Sequence, residues 1–301
     1  MKPKMVKDSD PSPLHFVGGI SLEEPKRILY RVLRILLLVF ILFWTIFPIY
    51  WLFSLSIRGS EELREGLALI PQTFTTNHFQ DLFSRFDFLT SLKNSLIITV
   101  ISVIISLLSG VAASYVLMRQ HFFFPQRKVY FFWVLLTRLM PPIAFAIPLY
   151  FLFNRFGFSG SLGTVISAHL ILNMPLIIWF LMTSVEQIPV SIEEASRIDG
   201  ASEWQIFVQM VIPQILPSIA AVAMLSFMAS WNDYLYSVIF IQSPRNFTVP
   251  LTLATMNSEQ ELTQWGVLGA GGVISTIPVV LFVMFAQRYL IEGLAGSAVK
   301  G

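Results

Sequence analysis

Six stretches of this chain are long and apolar enough to cross a lipid bilayer as helices, and that pattern excludes most other architectures. A hydrocarbon core takes about 20 apolar residues in helical form. The stretches run from Ile35 to Ile57, Leu96 to Leu117, Tyr130 to Phe153, Gly163 to Thr183, Leu216 to Ile241 and Val267 to Leu290. Composition agrees: 55% of the 301 residues are hydrophobic and only 13% are charged, about half the charged share of a soluble domain. The sequence therefore predicts an all-α polytopic membrane protein with six transmembrane helices. The first apolar run follows a polar tail of over 30 residues, so it reads as a retained span rather than a signal peptide. The third run contains Arg138 and the pair Pro141-Pro142, which must break or kink a helix.

Lys and Arg placement orients the chain. With the N-terminus inside, the inner segments hold thirteen basic residues, among them Lys26, Arg27, Arg31, Arg34, Arg119, Arg127, Lys128 and Arg197. The outer segments hold six: Arg58, Arg64, Arg85, Lys93, Arg155 and Arg245. Both termini are expected in the cytoplasm.

Several chemistries are excluded. There is no cysteine, hence no disulfide, thiolate metal site or cysteine nucleophile. His15, His78, His121 and His169 are scattered, with no metal-ligand spacing. His169, inside a span, is expected to form a helix–helix hydrogen bond. No Gly-x-x-x-x-Gly-Lys-Ser/Thr phosphate loop is present, and the spans hold no paired groups suited to intramembrane catalysis, so the chain is read as non-catalytic. Basic residues are too few and too dispersed for a nucleic-acid surface. Gly269-Ala270-Gly271-Gly272, and Ser106, Gly110 and Ser114 at intervals of four, predict close helix packing.

Between the fourth and fifth runs lies a segment of a different kind. Val185 to Gln214 carries Glu186, Glu193, Glu194, Asp199 and Glu203 against the single Arg197. Ser191 with Glu194, and Ser202 with Gln205, have capping-box spacing; Asp199-Gly200 is a helix stop. The prediction is a helix-turn-helix hairpin, its second helix ending near Ile212, with Pro213 and Pro217 marking a bend back into the membrane. Ala195, Ile198 and Ser202 fall on one side. Local chemistry leaves two readings open: a face that docks another protein, or an interfacial helix that packs only on its own bundle.

Polar side chains within a span are expensive and mark function or helix contacts. Arg138, Asn173, Asn232 and Asp233 qualify, with Trp231, Tyr234 and Tyr236 close by in sequence. They are candidates for a solute path, or else ties between helices, with Arg138 pairing to Asp233.

Glu194-Ala195-Ser196, three residues, Gly200, nine residues, Met210, one residue and Ile212-Pro213 resemble the EAA motif of ABC importer membrane subunits. Ser196, Met210 and Ile212 are the departures from the family pattern. Leu139-Met140-Pro141-Pro142, the run from Ile147 to Gly157, Trp231-Asn232-Asp233 and the ending from Gln287 to Gly301 resemble carbohydrate ABC importer permeases, specifically those similar to the smaller membrane subunit of the maltose importer. The resemblance covers residue 30 to the end.

It implies the type I importer permease fold with a cytoplasmic coupling helix. The divisions would be a cytoplasmic tail at 1–30, a permease domain at 31–291 containing the coupling loop 185–215, and a cytoplasmic tail at 292–301. It further implies half of a sugar pathway in a bacterial-type cytoplasmic membrane, for a di- or oligosaccharide or related glycoside. The implied partners are a second permease, two ATPase subunits and an extracytoplasmic sugar-binding protein. No cofactor is expected in this chain, since the ATPases would bind ATP and Mg. Ser191, Glu193, Glu194, Ala195, Asp199, Gly200, Trp204, Lys300 and Gly301 would form the ATPase joint. Arg138, Asn173, Trp231, Asn232, Asp233 and Tyr236 remain the substrate-path candidates. The competing expectations are an ion-coupled secondary transporter and an importer of a non-sugar solute such as glycerol phosphate.

Overall fold

The computed structural model describes residues 23–65, 68–119, 127–256 and 265–298. Among them there is no strand. The helices are α1 (Glu23–Ile57), α2 (Ser60–Glu65), α3 (Asn77–Arg85), α4 (Phe88–Met118), α5 (Arg127–Leu139), α6 (Pro142–Arg155), α7 (Leu162–Glu186), α8 (Val190–Ile198) and α9 (Glu203–Gln205). After a π-helical stretch, Ile206–Val211, come α10 (Ile212–Trp231), α11 (Leu235–Phe240), α12 (Val249–Thr255) and α13 (Trp265–Ala298). Two compact units divide at Tyr50. In the first, residues 29–50 are a helix with apolar side chains on every side, Trp44 being 71% exposed. Such a helix needs lipid or another protein around it.

The second unit is a bundle built on α4, α7, α10 and α13, and its sequence explains the close approach of its helices. The broadest interface is between α4 and α7. It closes over Gly110, where an added Cβ would sit 2.5 Å from Ile177 Cγ2, and over the fully buried Ser106 and Ser114. The glycines of α13 do the same against the end of α1. A Cβ at Gly269 would meet the Leu52 carbonyl at 3.1 Å, and one at Gly272 would meet Leu52 Cδ1 at 2.9 Å. Small residues let membrane helices gain packing contacts that longer side chains would block. Phe227 of α10 lies parallel to Phe282 of α13 at 4.3 Å and to Trp231 at 5.9 Å, joining these two helices.

Among the described residues five helical runs are long and apolar enough to span a membrane, or six if α5 and α6 together count as one. The third predicted stretch is not a straight crossing: α5 and α6 meet at 101° across Met140–Pro141. Pro142 starts α6, where its missing N–H costs nothing. The fifth stretch ends early, at Trp231, and the chain turns through residues 232–234 before α11.

The predicted end of the second loop helix near Ile212, at Pro213, is also corrected. Pro213 and Pro217 both lie inside α10, and helix runs unbroken from Glu203 to Trp231. The π-helical turns just before Pro213 have wider i to i+5 bonding. They accommodate the proline ring that would clash with a regular turn.

A second feature escaped the sequence reading. Arg58, fully buried, donates to Ser54 Oγ at 2.9–3.0 Å, to Glu62 at 2.9 Å and to the Leu69 carbonyl at 3.3 Å. Glu62 also accepts from the Thr73 hydroxyl at 2.7 Å and from the Gln72 and Thr73 amides. These bonds, led by the Thr73 hydroxyl and helped by Arg58, hold the Glu62 carboxyl below its ordinary pKa of 4.5. His78 Nε2 lies 2.7 Å from the Arg58 carbonyl. The connection from α1 to α4 is thus a folded cap.

Candidate functional site

The hairpin between α7 and α10 is built as two arms around a left-handed turn. Pro189 occupies the position before α8, and its carbonyl accepts from the Ile192 amide at 3.2 Å. The helix therefore starts ahead of Ser191, and the capping box predicted for Ser191 and Glu194 does not form. A proline with φ near −58° already sets the helical entry, which places Ser191 in the first turn. The second box does form: Gln205 N donates to Ser202 Oγ at 3.3 Å, and Ser202 N donates to Gln205 Oε1 at 2.8 Å. Between the arms Gly200 has φ +87°. Its amide donates to the Arg197 carbonyl at 3.1 Å, and that of Ala201 to the Ser196 carbonyl at 3.0 Å. This is the paired bonding of a Schellman stop, which favours glycine.

The hairpin has two unlike faces. Outward stand Ser191, Glu194, Ala195, Asp199, Gly200, Ser202 and Trp204, all exposed. Ile198 is 87% exposed and Trp204 70%. Inward stands Glu193, fully buried. Arg119 Nε donates to its Oε1 at 2.6 Å, and the Tyr115 hydroxyl donates to Oε2 at 3.1 Å. Arg197 lies 3.6 Å from Glu193 Oε2 and bonds Glu203 at 2.7 Å. Glu203 raises the Arg197 pKa further. Arg119 also donates to the Ile188 carbonyl at 3.3 Å. Breaking one partner of a buried pair of this kind costs about 3–5 kcal/mol. Sequence reasoning missed Tyr115 and Arg119. Arg119 had entered only as a topology signal, although a lone cation closing an apolar span before an acidic loop is a pairing signal as well. Lys300 and Gly301, also assigned to this joint, lie outside the described residues.

Of the substrate-path candidates, Asp233 and Tyr236 meet at the start of α11, where the Tyr236 amide donates to Asp233 Oδ1 at 3.4 Å. Asn173 is fully buried in α7 and donates to Ser230 Oγ at 2.8 Å. Trp231 is buried, with its indole N–H on the Ser275 carbonyl at 3.2 Å. Tyr236 is buried, its hydroxyl 3.4 Å from the Pro142 carbonyl. Asn232 is exposed and donates to the Met228 carbonyl at 3.0 Å. Asp233 pairs with His169 Nε2 at 3.1 Å and also accepts from the Ser237 amide at 3.2 Å, at the start of α11. The predicted partnership of Asp233 with Arg138 is replaced by this one. Arg138 is exposed at the end of α5, where the 101° break turns the chain away. His169 ties α7 to the α10–α11 turn, the inter-element bond expected of it. Among the described residues no group of His, Cys, Asp and Glu could hold a metal.

Residues 104–295 match the family model described as "Binding-protein-dependent transport system inner membrane component". An arabinooligosaccharides transport system permease protein of Halalkalibacterium halodurans is 33% identical, over 87% of this chain and 94% of its own length. A trehalose transport system permease protein of Mycobacterium tuberculosis is 29% identical, over 86% and 93%. The crystal structure of a bacterial ABC transporter for the acidic polysaccharide alginate contains a chain of the same fold. It superposes with a TM-score of 0.74 at 22% identity, covering 91% of this chain and all of that one.

Proposed function

The chain belongs to the binding-protein-dependent transport system inner membrane component family, and from that premise we propose that it is a sugar-importer permease, driven through the outward face of α8 and the turn that follows. It forms half of a pathway completed by a second permease. An extracytoplasmic binding protein delivers a di- or oligosaccharide, and two ATPase subunits supply the energy from ATP and Mg that they bind themselves. The chain is a multi-pass protein of the cytoplasmic membrane with both termini inside, and it performs no catalysis. Ser191, Glu194, Ala195, Asp199, Gly200 and Trp204 supply the ATPase contact. Asn232 and Asp233 border the solute path at the break between α10 and α11.

The observation that carries this reading is the two-faced hairpin. Its motif residues are exposed, with Ile198 87% and Trp204 70% in the open, while a buried pair holds the opposite face to α4. Exposed apolar anchors beside acidic residues are what a partner's groove requires. Ile198→Asp tests it. Membrane insertion and thermal stability should be unchanged, because the side chain touches little of its own fold, while co-purification of the ATPase subunits should fall sharply. Retained ATPase binding with altered membrane association would establish the interfacial-helix reading instead.

A further inference from the structure

Glu193 precedes the motif acid, and it is the one buried residue of α8. An amphipathic helix is ordinarily held by buried aliphatic side chains. Here a carboxylate fills that role, at the cost of removing it from water. We propose that Glu193 is the positioning residue that makes α8 and α4 a single lever, so that force on the outward face reaches the membrane helices. The proposal rests on the reading of α8 as the ATPase-docking helix.

Four observations support it. α8 has nine residues and lies between the short turn after α7 and the left-handed turn at Gly200, so its backbone connections alone would let it rock. An apolar contact would hold the helix down without fixing its rotation about its own axis. Glu193 fixes it, because Arg119 reaches one carboxylate oxygen at 2.6 Å and Tyr115 the other at 3.1 Å. Arg119 and Tyr115 lie at the end of α4, the helix most extensively packed on α7. The same carboxylate also faces Arg197, which grips Glu203 at the start of the second arm. The two arms are thus linked at the carboxylate that α4 holds, and the second arm adds Phe207 packed against Tyr115 at 5.1 Å.

The test uses the complete importer, reconstituted in proteoliposomes with its ATPases and binding protein. The variants are Glu193→Gln and the apolar double variant Arg119→Met/Glu193→Leu. The readouts are subunit stoichiometry and sugar imported per ATP hydrolysed. Glu193→Gln keeps the shape but turns one of the two acceptor oxygens into an N–H donor and removes the charge facing Arg119, so it should loosen the clamp while still assembling and hydrolysing ATP, with import per ATP falling by about fivefold or more. The double variant leaves no uncompensated buried charge, so it should assemble while its import per ATP also stays low.

A ratio equal to wild type in either variant would overturn the lever. So would loss of assembly in both, which would make the pair a matter of folding alone. Wild-type uptake that needs no ATPase would overturn the docking reading itself, a result distinct from an ATP-driven wild type with unaffected variants.

Discussion

Replacing Gly200 by valine isolates the turn of the hairpin from everything around it. At φ +87° the backbone is in a region that L side chains rarely adopt, yet a Cβ built there meets no atom within 4 Å. The substitution therefore carries no steric clash, only backbone strain. For a non-glycine residue in the left-handed region that strain is about 1–2 kcal/mol, with a β-branched residue at the upper end. Relief would require φ to turn negative, which breaks the Gly200–Arg197 and Ala201–Ser196 bonds that close α8. A loss of about 1–2 kcal/mol shifts the population of the closed turn by about 5- to 30-fold.

The assay is ATPase affinity and import per ATP in the reconstituted importer, with thermal unfolding in detergent as the control. Activity should fall in the order Gly, Asn, Ala, Val, because Asn tolerates the left-handed region, while the unfolding midpoint of the membrane bundle stays near wild type. Two results would show that backbone strain at Gly200 is not what matters. One is a valine variant as active as wild type. The other is an asparagine variant as impaired as valine, which would point to a filled steric site that the geometry does not contain.

Other perturbations separate packing from function. Gly110→Ala places a methyl 2.5 Å from Ile177 Cγ2 and should cost about 1–3 kcal/mol through overpacking; thermal unfolding should show the loss, and Ile177→Ala in the same chain should restore part of it. Asp233→Asn keeps an acceptor for the start of α11 but loses the charge facing His169, whereas Asp233→Ala loses both. Alanine should therefore lower thermal stability by about 1 kcal/mol more than asparagine, and import below wild type in an asparagine variant of normal stability would place Asp233 on the solute path. The Glu62 carboxyl has its pKa lowered in the folded cap. Its contribution is fully present above the unfolded value of 4.5 and fades as pH falls through the lower folded value. The protection of residues 68–78 against hydrogen exchange, taken relative to the intrinsic rate at each pH, should fall below pH 4.5 in wild type and show no such fall in Glu62→Gln.

The spans were legible because lipid imposes a length and an apolar composition that few other constraints override. The hairpin was legible in part: Gly200 and the Ser202–Gln205 box are local chemistry, and local chemistry is written in adjacent residues. The start of α8 was misread because Pro189 and Ser191 compete for the same role, and the fixed φ of proline decides it. The Arg119–Glu193 and His169–Asp233 pairs join residues more than 60 positions apart, and nothing local announces them. The unbroken helix through Pro213 was hidden for a related reason. A π-helical stretch leaves no composition signal, and it removes the clash from which a bend is inferred. Trp231 and Tyr236 are solute-path candidates by sequence and are buried in the fold; an aromatic in a membrane span can serve a path or fill a core, and adjacent residues do not distinguish the two.

In the function proposed, ATPases work this permease from the cytoplasmic side through its hairpin. The most direct measurement is sugar uptake into proteoliposomes holding the chain, its partner permease and the two ATPases, with the binding protein added outside. Uptake should require ATP in the ATPase compartment together with the binding protein, and should stop when the ATPases are omitted. Uptake driven by a proton or sodium gradient without ATPases would contradict the account.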